Sequence, residues 1–152
     1  MDLSTLQQQI TWAEGCRVQL YDDATGKPIS PGQALVGNPT GGIGHNFFRP
    51  LSGEVIALLF EEDVAACCAD LDHALPWWRS LDEVRQRVLI DLTFNMGIGT
   101  LLTFKRFISA LYKADYQAAA AEVIDSKIPP RRAAMQADML RSGSDAYWQT
   151  HR

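Results

Sequence analysis

Glu14-Gly15-Cys16-Arg17-Val18-Gln19-Leu20-Tyr21-Asp22-Asp23-Ala24-Thr25-Gly26 and Thr40-Gly41-Gly42-Ile43-Gly44-His45, separated by thirteen residues, decide the reading of this chain. Ahead of Glu14 the spacing is helical. Ser4 opens the segment with Gln7 three residues on, the pattern of a capping box, and Leu6, Ile10 and Ala13 form an apolar stripe. Glu14 follows Ile10 by four residues, so it shares that stripe and is expected to face inward at the end of the helix. Beyond Gly15 the pattern changes. Short apolar runs (Val18, Leu20 and Tyr21, then Leu35 and Val36) alternate with turn signals at Asp22-Asp23, Gly26-Lys27-Pro28, Ser30-Pro31-Gly32 and Gly37-Asn38-Pro39. This predicts a small antiparallel sheet over about residues 16–50. Seven of the 11 glycines fall between Gly15 and Gly44, which marks backbone of special geometry.

From Ser52 onward the periodicity is helical. Ser52 caps a helix in which Val55, Leu59, Val64, Cys67, Leu71 and Leu75 recur at helical spacing until Pro76 stops it. Such a helix, residues 52–75, would be ~35 Å long at ~1.5 Å per residue, enough to join two lobes. Ser80-Leu81-Asp82-Glu83 is a second capping box, opening a helix through Val84, Val88 and Leu92 to Gly97. Further helices follow at Phe104–Leu111, after Asp115, and from Pro130 to Gly143, with a short tail anchored by Tyr147 and Trp148. The expected class is α+β and mainly helical, in one domain of 152 residues: a β lobe, the joining helix, and a helical lobe over residues 76–152 with residues 1–15 packed against it.

Bulk properties narrow the function. A formal net charge of −4 hides an asymmetry: residues 1–76 carry three Lys/Arg against ten Asp/Glu, and residues 105–152 carry eight against five. No nucleic-acid-binding motif accompanies the basic end, so nucleic acid is not an expected partner. Cys16, Cys67 and Cys68 show no metal-ligand spacing, and neither a metal nor any other cofactor is expected; they read as buried thiols of a reducing compartment. Met1–Ile10 lacks the features of a secretory signal, and no apolar run reaches the ~18 residues of a membrane span. Stable membrane insertion is therefore not expected.

Two carboxyl groups in contrasting surroundings are what glycosidic cleavage requires: one holds a proton for the leaving oxygen, and the other activates water or attacks the sugar. Glu14, on an apolar stripe, suits the first role, and Asp23, in a polar turn, suits the second. Thr40 could orient a water molecule, and the glycines around it would let the backbone approach a sugar closely. Asp22 reads as solvated.

At these residues the sequence resembles the phage-type lysozymes, the muramidase family of the T-even phage lysozyme (glycoside hydrolase family 24). The shared pattern is Glu14, Tyr21, Asp23, Gly26 and the Thr40–His45 segment, and similarity extends through Leu59–Val64, Ser80–Gly97 and Ser142–Tyr147. The resemblance implies a lysozyme-like two-lobed fold and a catalytic triad of Glu14, Asp23 and Thr40. It implies an inverting cut of the β-1,4 bond between N-acetylmuramic acid and N-acetylglucosamine in peptidoglycan. Phe94 and Gly44 are then expected to meet substrate. Tyr21 is expected to pack beside the cleft, and His45 and Asp63 to play structural roles near it.

The expected partner is the glycan strand of bacterial peptidoglycan, engaged by a monomer. The setting is that of a phage or prophage endolysin, made in the host cytoplasm and released to the wall through a pore or by delivery. Two alternatives stand beside it, a degenerate muramidase fold that only binds peptidoglycan or protein, and a lytic transglycosylase. The chain departs from the family in two places. A Pro/Gly-rich insert, Lys27–Pro39, precedes Thr40. Ser126–Arg132 is shortened and lacks the family's Trp and Gln.

Overall fold

The computed structural model describes residues 2–151. The chain falls into two compact units, residues 1–56 and 57–152. The class is the expected one, α+β and mainly helical, with a three-stranded antiparallel sheet, as in a lysozyme-like fold.

The first unit holds helix α1 (Leu3–Glu14) and strands β1 (Arg17–Asp22), β2 (Pro39–Gly42) and β3 (His45–Asn46) in the order β1-β2-β3. Tyr21 pairs with Thr40 and Asp22 with Pro39, while Thr40 and Gly41 face Asn46 and His45 on the other side. The glycine-rich segment is therefore itself a central strand, and Leu35-Val36 is not one. The N–H groups of Val36 and Gly37 turn instead to a carboxylate of Asp22. Among the described residues, no hydrophobic side chain of this unit belongs to the buried core; the buried polar side chains are Asp22, 1% exposed, and Thr40, 5% exposed. Hydrogen bonds, not apolar burial, hold this sheet together. The α1 cap is Asp2 rather than Ser4. The Asp2 carboxylate accepts the Ser4 and Thr5 N–H groups at 2.9 and 3.5 Å, and the Ser4 hydroxyl itself donates to it at 2.8 Å. A carboxylate at a helix N-terminus also meets the positive end of the helix dipole.

Helix α2 (Gly53–Ala74) starts at Ser52, whose hydroxyl accepts the Val55 N–H at 3.3 Å. Its expected apolar stripe is partly covered: Leu71 and Leu75 are buried and Val64 and Cys67 half-buried, while Val55 and Leu59 are exposed.

The second unit owns the hydrophobic core. Leu71, Leu75, Trp78, Leu89, Leu92, Leu101, Phe107, Leu111 and Leu140 are at most 5% exposed. Trp78 is anchored by its indole N–H, which donates to Asp72 at 2.8 Å, and Trp77 packs edge-on against Tyr112. Helix α3 (Glu83–Leu101) is capped by Asp82, not by Ser80. Ser80 is committed elsewhere, its hydroxyl donating to the Trp77 carbonyl in a 3-10 turn, while Asp82 accepts the Arg85 N–H. Gly97 breaks the helix where the sequence predicts: its φ of 76° and ψ of 153° are not helical, and a further short helical stretch follows to Leu101. Then come α4 (Lys105–Tyr112), α5 (Tyr116–Ile124), α6 (Pro130–Ser142) and α7 (Ala146–His151). Asp115 caps α5, and Pro130 opens α6, as the sequence predicts. The thiols differ from expectation: Cys16 is exposed and Cys67 and Cys68 are half-buried, because Cys16 lies between α1 and a sheet without an apolar core.

Candidate functional site

Glu14, Asp23 and Thr40 all lie in the first unit. Glu14 ends α1, where Gly15 breaks the helix with φ 74°. No residue of α1 is buried, and Glu14 is exposed, so the inward-facing carboxylate expected from the stripe is not found. Within the first unit, Leu6 and Ile10 line an open groove with Ile43. Glu14 is nonetheless held close to the β2–β3 turn. Its Oε2 lies 3.7 Å from the point where a β-carbon of Gly44 would stand, and Gly44 has φ +73°. The backbone angle favours glycine there, while the carboxylate sits at ordinary contact distance.

The Asp22-Asp23 pair is more ordered than a solvated turn. Asp22, read from sequence as solvated, is buried. Its carboxylate accepts N–H groups from Val36 at 2.6 Å, Gly37 at 3.0 Å and Ala24 at 3.0 Å. These bonds, the one from Val36 foremost, hold its carboxyl below the usual carboxylate range. A buried carboxylate is tolerable because every donor around it points inward. Asp22 thus pins the far end of the Lys27–Pro39 insert to β1.

Asp23 is exposed, and both its oxygens are bound by one residue. Oδ1 accepts the Asn38 backbone N–H at 2.7 Å and Oδ2 accepts the Asn38 side-chain amide at 2.9 Å. The backbone bond, then the side-chain bond, lowers the Asp23 pKa from its ordinary value. The Asn38 carbonyl in turn accepts the Asp23 N–H at 3.1 Å and the buried Thr40 hydroxyl at 3.3 Å. Gly37 makes room for this arrangement, since a β-carbon there would overlap Asp23 Oδ1.

The chain is similar to a T4-type lysozyme. It is 22% identical over 143 residues to probable T4-type lysozyme 1 of Dictyostelium discoideum, covering 82% of this chain and 84% of that protein. It is 27% identical over 124 residues to the pre-baseplate central spike protein of Enterobacteria phage T4, covering 70% of this chain but only 22% of the spike protein. No family model matches the chain.

The other expected residues sit as follows. Tyr21 is half-buried, pairs with Thr40 across the sheet, and carries the Arg17 guanidinium 4.1 Å from its ring centre. His45 is exposed and meets Phe47 edge-on at 5.0 Å. Asp63 lies exposed on α2, in the second unit. Phe94 is also in the second unit, 45% exposed and tilted against Phe60 at 6.1 Å. Both rings line an open pocket of about 380 Å³ with Val64, Ile90, Asp91 and Arg132. In that pocket Arg132 donates to Asp91 at 3.0 Å and to Asn95. Among the described residues no group of three or more His, Cys, Asp or Glu could hold a metal.

Two features escaped the sequence. Asn38 looked like one member of a turn signal, and Asp22 looked like the idle neighbour of Asp23. The adjacency of two aspartates, followed by a Gly-Asn-Pro stop just before Thr40, was the available signal.

Proposed function

We propose that this chain is an N-acetylmuramidase that hydrolyses β-1,4 bonds in peptidoglycan glycan strands with inversion. Glu14 is the general acid, Asp23 holds and activates the water, and Thr40 helps to orient it. One observation carries the reading: in a unit of 56 residues, Glu14 reaches the turn after Thr40, while Asp23 and Thr40 are tied to the same residue, Asn38. The similarity to a T4-type lysozyme along most of the chain supports it.

The chemistry follows from the surroundings. Each Asp23 oxygen spends one acceptor site on Asn38, and a carboxylate has about four such sites, so room remains for a water molecule. A lowered pKa keeps Asp23 ionised as the base. Glu14 is exposed, open to the leaving oxygen of a bound glycan. Peptidoglycan is the partner and the acting species is a monomer. A phage or prophage endolysin, made in the host cytoplasm and passed to the wall through a pore, is the biological setting. The similarity to part of a phage spike protein favours a second route, delivery within a larger particle.

Digestion of purified murein by the wild type and by Glu14→Gln, read by mass spectrometry, tests the proposal. Hydrated reducing ends are expected from the wild type, with turnover at least ~10²-fold lower in the variant, the scale of losing a general acid. Anhydro-muramic ends would make the protein a transglycosylase. Murein binding without new reducing ends would make it a binding module.

A further inference from the structure

We infer that Asn38, supplied by the Lys27–Pro39 insert, is the positioning residue that aims the Asp23 carboxylate and couples it to Thr40; this rests on the muramidase reading. Three observations converge on it. Asn38 donates to both oxygens of Asp23, through its backbone N–H and its side-chain amide, at 2.7 and 2.9 Å. Two donors from one residue fix the plane of a carboxylate as well as its place, which a single bond cannot do. The Asn38 carbonyl receives both the Asp23 N–H and the Thr40 hydroxyl, so the same residue sets the spacing between the base and its neighbour. Finally, Asn38 is not free to wander. Asp22 takes the N–H groups of Val36 and Gly37 immediately before it, and Pro39 begins β2 immediately after it, paired with Asp22.

The rigid frame is therefore Asp22, and the aimed group is Asp23. The insert, a departure from the family pattern, delivers the residue that orients the base. An orienting shell of this kind matters because small displacements of a catalytic group carry large rate costs.

The test uses the full chain and the variants Asn38→Ala and Asn38→Asp. The Asp23 carboxyl is followed by 13C NMR against pH, alongside murein turnover. In Asn38→Ala the loss of the side-chain donor should move the Asp23 midpoint to higher pH. The acidic limb of the turnover profile should move with it, with kcat lower by roughly 10-fold or more, since a modest misplacement already costs up to ~10², and KM little changed. Asn38→Asp, which sets an acceptor against the carboxylate, should raise the midpoint further. An Asp23 midpoint unchanged in both variants overturns the inference, as does a wild-type kcat in Asn38→Ala. The titration does not depend on turnover. A shifted midpoint in a protein without murein activity would refute the proposed function and leave the carboxylate clamp standing.

Discussion

Replacing Gly37 by alanine should disable the site while leaving the fold in place. A β-carbon at Gly37 would lie 2.7 Å from the Ala24 amide nitrogen and 2.8 Å from the Ala24 β-carbon, where ordinary contact begins at 3.4 Å, and it would overlap Asp23 Oδ1 outright. The neighbours must give way, and the exposed Asp23 side chain gives way most easily. Its retreat of on the order of 1 Å should cost roughly 10²-fold in turnover. Overpacking of this kind costs ~1–3 kcal/mol, or a fall in melting midpoint of about 2–12 °C at ~2–4 °C per kcal/mol. Gly26→Ala is the matched control. Gly26 has φ +67° but nothing within 4 Å of its β-carbon position, so alanine there meets only backbone strain of ~1–2 kcal/mol. The assay is initial-rate release of reducing ends from purified murein, with melting followed by calorimetry. Comparable loss of stability but loss of turnover only in Gly37→Ala is the expected result. Equal turnover in the two variants at equal folded fraction would refute the reasoning.

Two further predictions concern stability. Asp22 and Asp23 both have folded-state pKa values below their ordinary values. Their stabilising effect is thus fully present above the ~3.9 of a free aspartate and is lost as pH falls through the lower folded values. The amide signals of Val36 and Gly37 should therefore collapse on acidification below ~pH 4, and Asp22→Asn should show the same disorder already at neutral pH; protected Val36 and Gly37 amides in that variant would contradict the role given to Asp22. Ala114, between α4 and α5, is the one non-glycine residue with positive φ among the described residues, at 56°. Ala114→Gly should raise stability by about 0.5–1 kcal/mol, the left-handed penalty of alanine less the added freedom of glycine in the unfolded chain, and a lowered calorimetric midpoint would count against that balance.

Much of the fold was written in local pattern. Asp115 and Pro130 announce their helices because a cap or a first-turn proline acts through its nearest neighbours. Where two cap signals compete, the helix start decides: α1 begins at Leu3 and α3 at Glu83, so Asp2 and Asp82 hold the cap positions, while Ser4 lies inside α1 and Ser80 two residues ahead of the α3 cap. Gly97 interrupts its helix as expected, because its φ of 76° and ψ of 153° lie outside the helical region, and a short helical stretch follows it.

The sequence by itself determined the mainly helical α+β class and the three residues, Glu14, Asp23 and Thr40, that carry the candidate chemistry. Their spacing is a local property, legible without coordinates. Tertiary structure decided what surrounds them. It left Glu14 exposed at the end of α1, and it buried Asp22 because backbone donors from fourteen and fifteen residues away converge on it. It also brought Asn38 onto both oxygens of Asp23. A hydrogen bond across a loop has no periodicity for a sequence pattern to show. In a unit that buries polar side chains in place of apolar ones, those bonds decide where the candidate residues stand.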